Sequence, residues 1–247
     1  MDCKNLLALD LTGFDTQYVE AMNWMFYNCS SLTSISIPNS VTITGNSIFQ
    51  NCTNLKSVIF ENGIKITNCV AMFYECINLS SVIFGDDAKI SNIDTGAFRR
   101  CSNLKNITIP SSVISIDEGA FIYCSSLESV VFEENSKLTT IGRGAFYECS
   151  SLRNIVIPNS VTGIGEGAFY NCSGLTSVTI PNSVTSIGAG AFSYCTNLTI
   201  YAEATSQPSS WDSNWNSQNR PVYWYSEIEP VDEGNYWHYV DGVVTLW

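Results

Sequence analysis

The chain has 247 residues, 23 of them acidic and 11 basic, which gives a net charge of −12 at neutral pH. Because phosphate groups repel an acidic protein, nucleic acids and anionic lipid surfaces are poor partners for it. The sequence contains no apolar run of the roughly 20 residues that a membrane span needs, and Met1-Asp-Cys-Lys-Asn lacks the charged and then apolar pattern of a signal peptide. We therefore expect no direct membrane insertion by these residues.

The chain begins inside a repeated unit, at Cys3-Lys-Asn-Leu6, without a polar segment that would seal the first unit. Arrays of repeats need terminal caps, since each unit buries its apolar residues only against its neighbours. We therefore expect the sequence to be part of a longer protein, truncated at the amino-terminal side. The upstream region of that protein could hold an export signal.

A phrase of the type Gly-Ala-Phe-x-x-Cys-x-x-Leu recurs through most of the chain. Its cysteine returns at intervals of 23 to 25 residues, at Cys29, Cys52, Cys76, Cys101, Cys124, Cys149, Cys172 and Cys195. Such a period is typical of a solenoid, in which each unit is one coil. We predict about eight coils within residues 1–200.

The unit that starts at Leu152 shows the predicted structure of one coil. Its Leu-x-x-Ile-x-Ile pattern alternates and predicts a short strand, which Pro158 ends because proline cannot donate to a strand ladder. Val161-Thr-Gly-Ile164 predicts a second short extended piece. The three-residue spacing in Phe169-x-x-Cys-x-x-Leu175 predicts a single helical or 3₁₀ turn.

The longer coils differ from this one only after the strand. There, Phe84-Gly-Asp-Asp-Ala-Lys-Ile90 and Phe132-Glu-Glu-Asn-Ser-Lys-Leu138 replace the Pro-Asn-Ser segment. Because the extra residues enter at one point of the coil, we predict acidic loops on one edge of the solenoid. Pairs such as Glu133-Glu134 lack the ligand spacing of a known calcium loop.

The unit Pro158-Asn-Ser-Val-Thr-Gly-Ile-Gly-Glu-Gly-Ala-Phe-Tyr-Asn-Cys-Ser-Gly-Leu175 resembles the bacterial surface leucine-rich repeats of the BspA-like family. The resemblance covers about residues 3–200, and the first unit, Leu6-Leu-Ala-Leu-Asp-Leu-Thr-Gly-Phe-Asp-Thr16, is similar to a related surface repeat of 26 residues. It implies a β-rich α/β solenoid of leucine-rich-repeat type, with a parallel concave sheet and helical or 3₁₀ turns on the other face. It also implies an extracellular or cell-surface location and a role in binding or adhesion, with host matrix or cell-surface proteins as possible partners.

A binding role needs an exposed face, and the strands offer one. The residues between the inward-pointing ones should point outward, and several of them are β-branched, either because such residues suit a sheet surface or because they form a shallow docking groove. The candidates on this face are Ser34, Ser36, Ile59, Ile83, Thr108, Val131, Val156 and Thr179.

The cysteines and the single histidine favour a structural role. Eight of the ten cysteines stand at one repeat position, where stacked side chains point the same way, so we predict buried and unbridged thiols. Cys3 and the off-register Cys69 are the expected reactive thiols. With no C-x-x-C pair, only His238, and no catalytic motif, we predict no metal, no cofactor and no enzymatic activity.

From residue 201 the period is lost and aromatic residues accumulate, including five of the six tryptophans. Val222-Tyr-Trp-Tyr225 predicts a strand, and Asp241-Gly242 between two apolar runs predicts a hairpin. We interpret residues 201–247 as a C-terminal β cap over the last coil. Alternatively, Trp211 and Trp215 form an exposed platform for sugar rings or for a protein partner.

Three functions are consistent with these features. The first is protein binding or adhesion at a bacterial cell surface, which the family resemblance implies. The second is a passive spacer that displays another domain, which predicts a uniformly polar surface. The third is a carbohydrate-binding module, which predicts coplanar, exposed aromatic rings in the tail.

Overall fold

The computed structural model describes residues 3–11, 14, 16, 18–19, 21–43, 45–66 and 69–247. These residues form twenty short strands. In chain order the strands are β1 (Ala8–Leu9), β2 (Ser34–Ile37), β3 (Thr42–Ile43), β4 (Ser57–Phe60), β5 (Lys65–Ile66), β6 (Ser81–Phe84), β7 (Lys89–Ile90), β8 (Asn92–Ile93), β9 (Asn106–Ile109), β10 (Ser115–Ile116), β11 (Ser129–Phe132), β12 (Thr140–Ile141), β13 (Asn154–Val156), β14 (Gly163–Ile164), β15 (Ser177–Ile180), β16 (Ser186–Ile187), β17 (Thr199–Ala202), β18 (Val222–Tyr225), β19 (Tyr236–Val240) and β20 (Val243–Leu246).

The strands form two ladders that run along the solenoid, one for each extended piece of the coil. The first ladder joins β1-β2-β4-β6 and then β9-β11-β13-β15-β17-β18-β19-β20, with β6 lying beside β9. The second joins β3-β5-β7 and β8-β10-β12-β14-β16. Neighbouring strands are parallel, whereas β19 and β20 form an antiparallel hairpin across Asp241-Gly242. The predicted parallel-strand solenoid is confirmed.

Each strand of the first ladder has one face in the core. In β4, Val58 and Phe60 are fully buried, while Ser57 and Ile59 point outward. This alternation follows from the two-residue period of a strand. Strand β15 repeats it with Val178 and Ile180 buried, so the same residue types stack above one another from coil to coil.

A stack of phenylalanine rings runs through the centre of the core. Ring centroids of neighbouring coils lie 5.0 to 5.5 Å apart, which is within the range of favourable aromatic pairs. The stack consists of Phe26, Phe49, Phe73, Phe98, Phe121, Phe146, Phe169 and Phe192. It ends against Trp215, whose ring meets Phe192 edge-on at 6.1 Å.

The repeat cysteines form a second buried row. All ten cysteines are free thiols, and the eight repeat cysteines are buried. From the second of them onward, each thiol donates to the phenylalanine carbonyl of the preceding coil: Cys52 to Phe26 and Cys76 to Phe49, both at 2.9 Å, and likewise onward to Cys195 and Phe169 at 3.0 Å. Burial raises the pKa of Cys52 to about 12, so its thiol keeps the proton that it donates. A cysteine at this position therefore does more than fill space, because it also bonds one coil to the next.

Cys69 is not the accessible thiol that its position in the sequence suggests. It is buried, its thiol donates to the Asn92 carbonyl at 3.2 Å, and its backbone N–H donates to Asp94 Oδ2 at 2.6 Å. Burial raises the pKa of its thiol, and the charge of Asp94 raises it further. The next coil supplies both partners, which is why the local sequence gave no sign of them.

The described residues contain no helix, so the helical or 3₁₀ turns expected on the second face are not formed. The turn face, which carries the Ala-Phe-x-x-Cys segment of each coil, consists instead of successive tight turns. Residues such as Gly96 and Arg100, both with φ of +62°, adopt the left-handed region and interrupt any right-handed helix. The Phe98 N–H donates to the Ala120 carbonyl of the next coil at 2.7 Å, while the Cys101 N–H donates back to Phe98 at 3.0 Å. Backbone donors therefore alternate between the next coil and the same coil.

We predict that Phe169→Ala lowers the free energy of unfolding by about 3–5 kcal/mol, the usual cost of emptying a core phenylalanine site. Phe169 is fully buried between Phe146 and Phe192. A urea titration measures the change. The exposed Tyr194→Ala variant is the control, and an effect of Phe169→Ala no larger than that of the control would contradict a central role for the stack.

We predict that only Cys3 reacts rapidly with a thiol reagent under native conditions, because the other nine cysteines are buried. Labelling followed by mass spectrometry of peptides should show one fast site, and the remaining sites should react only in denaturant. Rapid labelling of Cys69 or Cys149 without denaturant would contradict the observed burial.

Candidate binding surface

The outward-pointing residues of the first ladder form a continuous surface, called here the strand face. Its central row places Ser36 beside Ile59 and Ile59 beside Ile83. The row continues through Thr108 beside Val131 and Val156 beside Thr179, and Ser34 lies in a parallel row beside Ser57. The structure therefore brings together all eight sequence-predicted residues of this face.

Several residues in this row are apolar and open to solvent. Ile83 is 51% exposed and Val156 is 81% exposed, with Ile59 and Val131 also classed as exposed. Large apolar side chains that are exposed next to one another mark interaction sites more often than single ones do. The row therefore offers an apolar contact strip along the strand face.

A groove opens in the strand face where β11 meets β13. Four residue pairs hold β9 to β11, but only two hold β11 to β13, ending at Val130 and Ile155. Beyond that point the acidic loop of residues 133–136 leaves one coil, while Pro158 turns the next coil. The groove has a volume of about 640 Å³ and is lined by Val131, Val156 and the residues of both turns.

Ser160 lies in the lining of this groove, and its Oγ is buried without a hydrogen-bond partner. The equivalent serines of other coils are satisfied: Ser112 Oγ donates to the Ala88 carbonyl at 2.9 Å, and Ser183 Oγ donates to the Val161 carbonyl at 2.7 Å. A buried hydroxyl without a partner is costly. Ser160 therefore differs from Ser112, although both serines follow a coil with a longer acidic loop.

The C-terminal hairpin borders the strand face beyond β15. A second cavity of about 320 Å³ lies there between Val156, Thr179, Tyr239 and Gly242. The Tyr239 hydroxyl donates to Glu203 Oε1 at 2.8 Å, which ties the hairpin to the end of β17. Partial burial raises the pKa of Tyr239 to about 12, with the Glu203 carboxylate as the second cause, so the phenol remains a donor at neutral pH.

Two carboxylates stand at the rim of these cavities. Glu133 Oε2 accepts the Ser111 N–H at 2.8 Å, and Glu203 Oε2 accepts the Asn182 N–H at 2.9 Å. Each thereby holds the turn that follows the strand of the preceding coil. The same bonds fix the two carboxylates in place beside the groove.

Comparison with known families shows what kind of repeat this is. The family description "BspA type Leucine rich repeat region" matches with six copies, over residues 19–137 and 65–199. The chain belongs to the BspA-type leucine-rich-repeat family. A comparison with curated proteins found no match.

Solved structures of other bacterial leucine-rich-repeat proteins resemble this BspA-type chain. A leucine rich cell surface protein from Faecalibacterium prausnitzii is 27% identical, with a TM-score of 0.46 over 78% of this chain and 64% of its own. The T. pallidum leucine rich repeat protein is 25% identical, with a TM-score of 0.41 over 83% of this chain and 65% of its own. A Bacteroides ovatus leucine-rich repeat protein is 21% identical, with a TM-score of 0.42 over 83% of this chain and 75% of its own. The BspA-type chain thus spans just under two thirds of the length of the first two.

Trp211 and Trp215 do not form the exposed platform that the sequence suggested. They are 4% and 2% exposed, and they pack edge-on against each other at 5.0 Å. The Trp211 indole N–H donates to the Val184 carbonyl at 3.2 Å, and Trp215 covers the end of the phenylalanine stack at Phe192. Both indoles serve the packing of the last BspA-type coil, so neither has a face free for a sugar ring.

Sequence reasoning missed a row of tyrosines on the turn face. Tyr147 stacks on Tyr170 at 4.5 Å, and Tyr170 lies 4.8 Å from Tyr194. A second groove of about 610 Å³ runs beside this row over a floor of glycines, with Arg143 placed between Glu118 and Glu166. The signal was available, because the tyrosines recur next to the BspA-type phenylalanines. The faces of Tyr147 and Tyr170 are already stacked on each other, while the Tyr194 ring is tilted by 55° against Tyr170.

Metal ions in proteins are held by groups of His, Cys, Asp or Glu side chains. Within the described residues, no group of three or more of these side chains is placed so that it could hold a metal ion. His238 packs against Trp247, with ring centroids 3.8 Å apart, at the outer end of the hairpin. The part of the chain that the structure describes also has no helix long and apolar enough to cross a membrane.

We propose that residues 201–247 cap the last full coil, and we predict that a chain ending at Ala202 aggregates or melts without cooperativity. The shortened chain lacks Trp215, so Phe192 would be uncovered. It also lacks β18 and Trp237, whose indole N–H donates to the Ala202 carbonyl at 2.9 Å, so the edge of β17 would be unpaired. Light scattering and thermal melts measure both effects. A chain ending at Ser226 keeps Trp215 and β18 and should show a milder defect; a soluble, cooperative chain ending at Ala202 would contradict the cap.

Proposed function

We propose that this chain is a non-catalytic binding protein of the bacterial cell surface that presents its strand face to another protein. The single observation that carries the proposal is the exposure of four apolar residues on the outward face of the first ladder: Ile59 paired with Ile83 in one sheet, and Val131 and Val156 in the next sheet. The family and the name of the Faecalibacterium prausnitzii relative support a surface location. Host matrix or cell-surface proteins are the partners that we propose.

The alternatives fit the surface less well. A passive spacer predicts a uniformly polar surface, which the exposed row contradicts. A carbohydrate module that works through the tail predicts exposed Trp211 and Trp215, and both are buried. Protein binding needs only an apolar strip with a polar surround, which is the usual anatomy of a protein interface.

We predict that Ile83→Glu weakens binding to a protein partner by about tenfold or more, which corresponds to about 1.4 kcal/mol. A charge placed on the strip would have to be desolvated on docking. The measurement is surface plasmon resonance of the whole chain against a panel of extracellular matrix proteins, with a glycan array in parallel.

Ile114→Glu is the matched control, because Ile114 is exposed to a similar degree, 47%, but precedes β10 of the second ladder. Neither change should alter stability by more than about 0.5 kcal/mol, as is usual at exposed sites. Equal weakening by the two variants, or binding to glycans alone, would contradict the proposal.

A further inference from the structure

We propose that the groove between the acidic loop of residues 133–136 and the C-terminal hairpin takes an extended polypeptide segment in which a lysine or arginine stands next to an apolar side chain. The inference rests on the proposed function and specifies its partner. Three independent features of the groove carry it: an apolar floor, an unsatisfied hydroxyl and carboxylates on the rim.

The floor provides the apolar part of the site. The two cavities share Asn154, Ile155, Val156 and Asn159, so they form one trough across β13. Val156 is the most exposed of the four apolar residues Ile59, Ile83, Val131 and Val156, and Val131 lies in the same lining. An apolar ligand side chain that covers these two valines removes both from water.

Ser160 provides the polar part. Its buried Oγ has no partner, whereas Ser112 and Ser183 donate to carbonyls of the coils beside them. A polypeptide main chain brings a carbonyl acceptor with every residue. Because the Oγ is buried, the serine side chain must rotate towards the trough to donate outward; a segment lying there can then supply the acceptor that the preceding coil does not give to Ser160.

The rim determines the sign of the ligand's charge. Glu133 lines the first cavity and Glu203 the second, and each is held in place by a backbone N–H. Both cavities are lined entirely by described residues, and none of these is a lysine or an arginine. A cationic side chain on the ligand complements this rim, and an acidic ligand is repelled by it and by the net charge of −12.

The chemistry of the floor favours a polypeptide over a glycan. Sugar rings are bound largely on the exposed faces of aromatic side chains, which combine an apolar ring with a polar group. The floor of the trough is aliphatic, and Tyr239 at its end is already bonded to Glu203. A glycan ligand is therefore an outcome that would count against the proposal.

The test uses three fluorescein-labelled decapeptides: one alternating lysine with valine, one alternating glutamate with valine, and one alternating lysine with serine. Fluorescence anisotropy with the whole chain measures their affinities at low and high salt. We expect the lysine–valine peptide to bind at least about tenfold more tightly than either of the others. Its affinity should fall as salt is raised, because the rim carboxylates are open to solvent.

Two serine variants separate binding from folding. Ser160→Ala should lower the affinity for the lysine–valine peptide by about two- to tenfold, which is the range of one hydrogen bond. It should not lower the denaturant midpoint of unfolding. Ser183→Ala is the matched control: it removes the donor to the Val161 carbonyl, so it should lower the midpoint and leave peptide affinity within about twofold. Glu133→Gln keeps an oxygen for the Ser111 N–H, and should reduce both affinity and its salt dependence.

The proposal is overturned if no peptide binds, or if the lysine–valine and glutamate–valine peptides bind equally. It is also overturned if a neutral glycan binds the chain and the Val156→Asp variant no longer binds that glycan. Its failure is distinguishable from failure of the proposed function. A protein partner that is lost with Ile83→Glu, but is unaffected by Ser160→Ala and Val156→Asp, would leave the strand face as the interface and exclude the groove.

Discussion

The interaction on which the rest of the structure depends is the backbone hydrogen bonding of the turn face. Gly144, Phe146 and Glu148 donate to carbonyls of the next coil, while Ala145 and Tyr147 donate within their own coil. This alternation requires left-handed residues at Gly144 and Glu148. It fixes the coil spacing on the side opposite the strand ladder, and the phenylalanine rings and cysteine thiols stack as a consequence.

Because both faces of a coil are held by backbone bonds, the coils differ mainly at the corner after the strand. Glu133 and Glu203 each follow a strand directly. The carboxylate of each accepts a backbone N–H from the turn of the preceding coil, at Ser111 and Asn182. The coil with the acidic loop of residues 133–136 is followed by the coil that Pro158 turns, and the strands β11 and β13 separate beyond Ile155. The groove thus forms because these two neighbouring coils have different segments after their strands. A perfectly regular array would have a closed strand face.

The sequence was sufficient to predict whatever repeats. The strands, the buried cysteines and the outward position of Val131 and Val156 follow from periodicity. Features that depend on an adjacent coil could not be predicted: Ser160 and Ser183 stand in the same Pro-Asn-Ser segment, yet only Ser183 has a partner. The prediction of a helical turn was wrong because non-glycine residues such as Arg100 adopt positive φ. The residue types alone do not reveal this conformation. Trp215 stands 23 residues after Phe192, the interval of the repeat, so counting would have placed it in the core.

The forward-directed bonds of the turn face give the solenoid a polarity. Each coil offers donors to the coil after it, and the last full coil finds acceptors in the Asn214 carbonyl and in the Gln218 side chain, which accepts the Tyr194 N–H. Among the described coils, these turn-face bonds recur at successive junctions. A whole coil can therefore be added or removed without leaving these backbone donors unpaired, and the strand face lengthens or shortens with the number of coils.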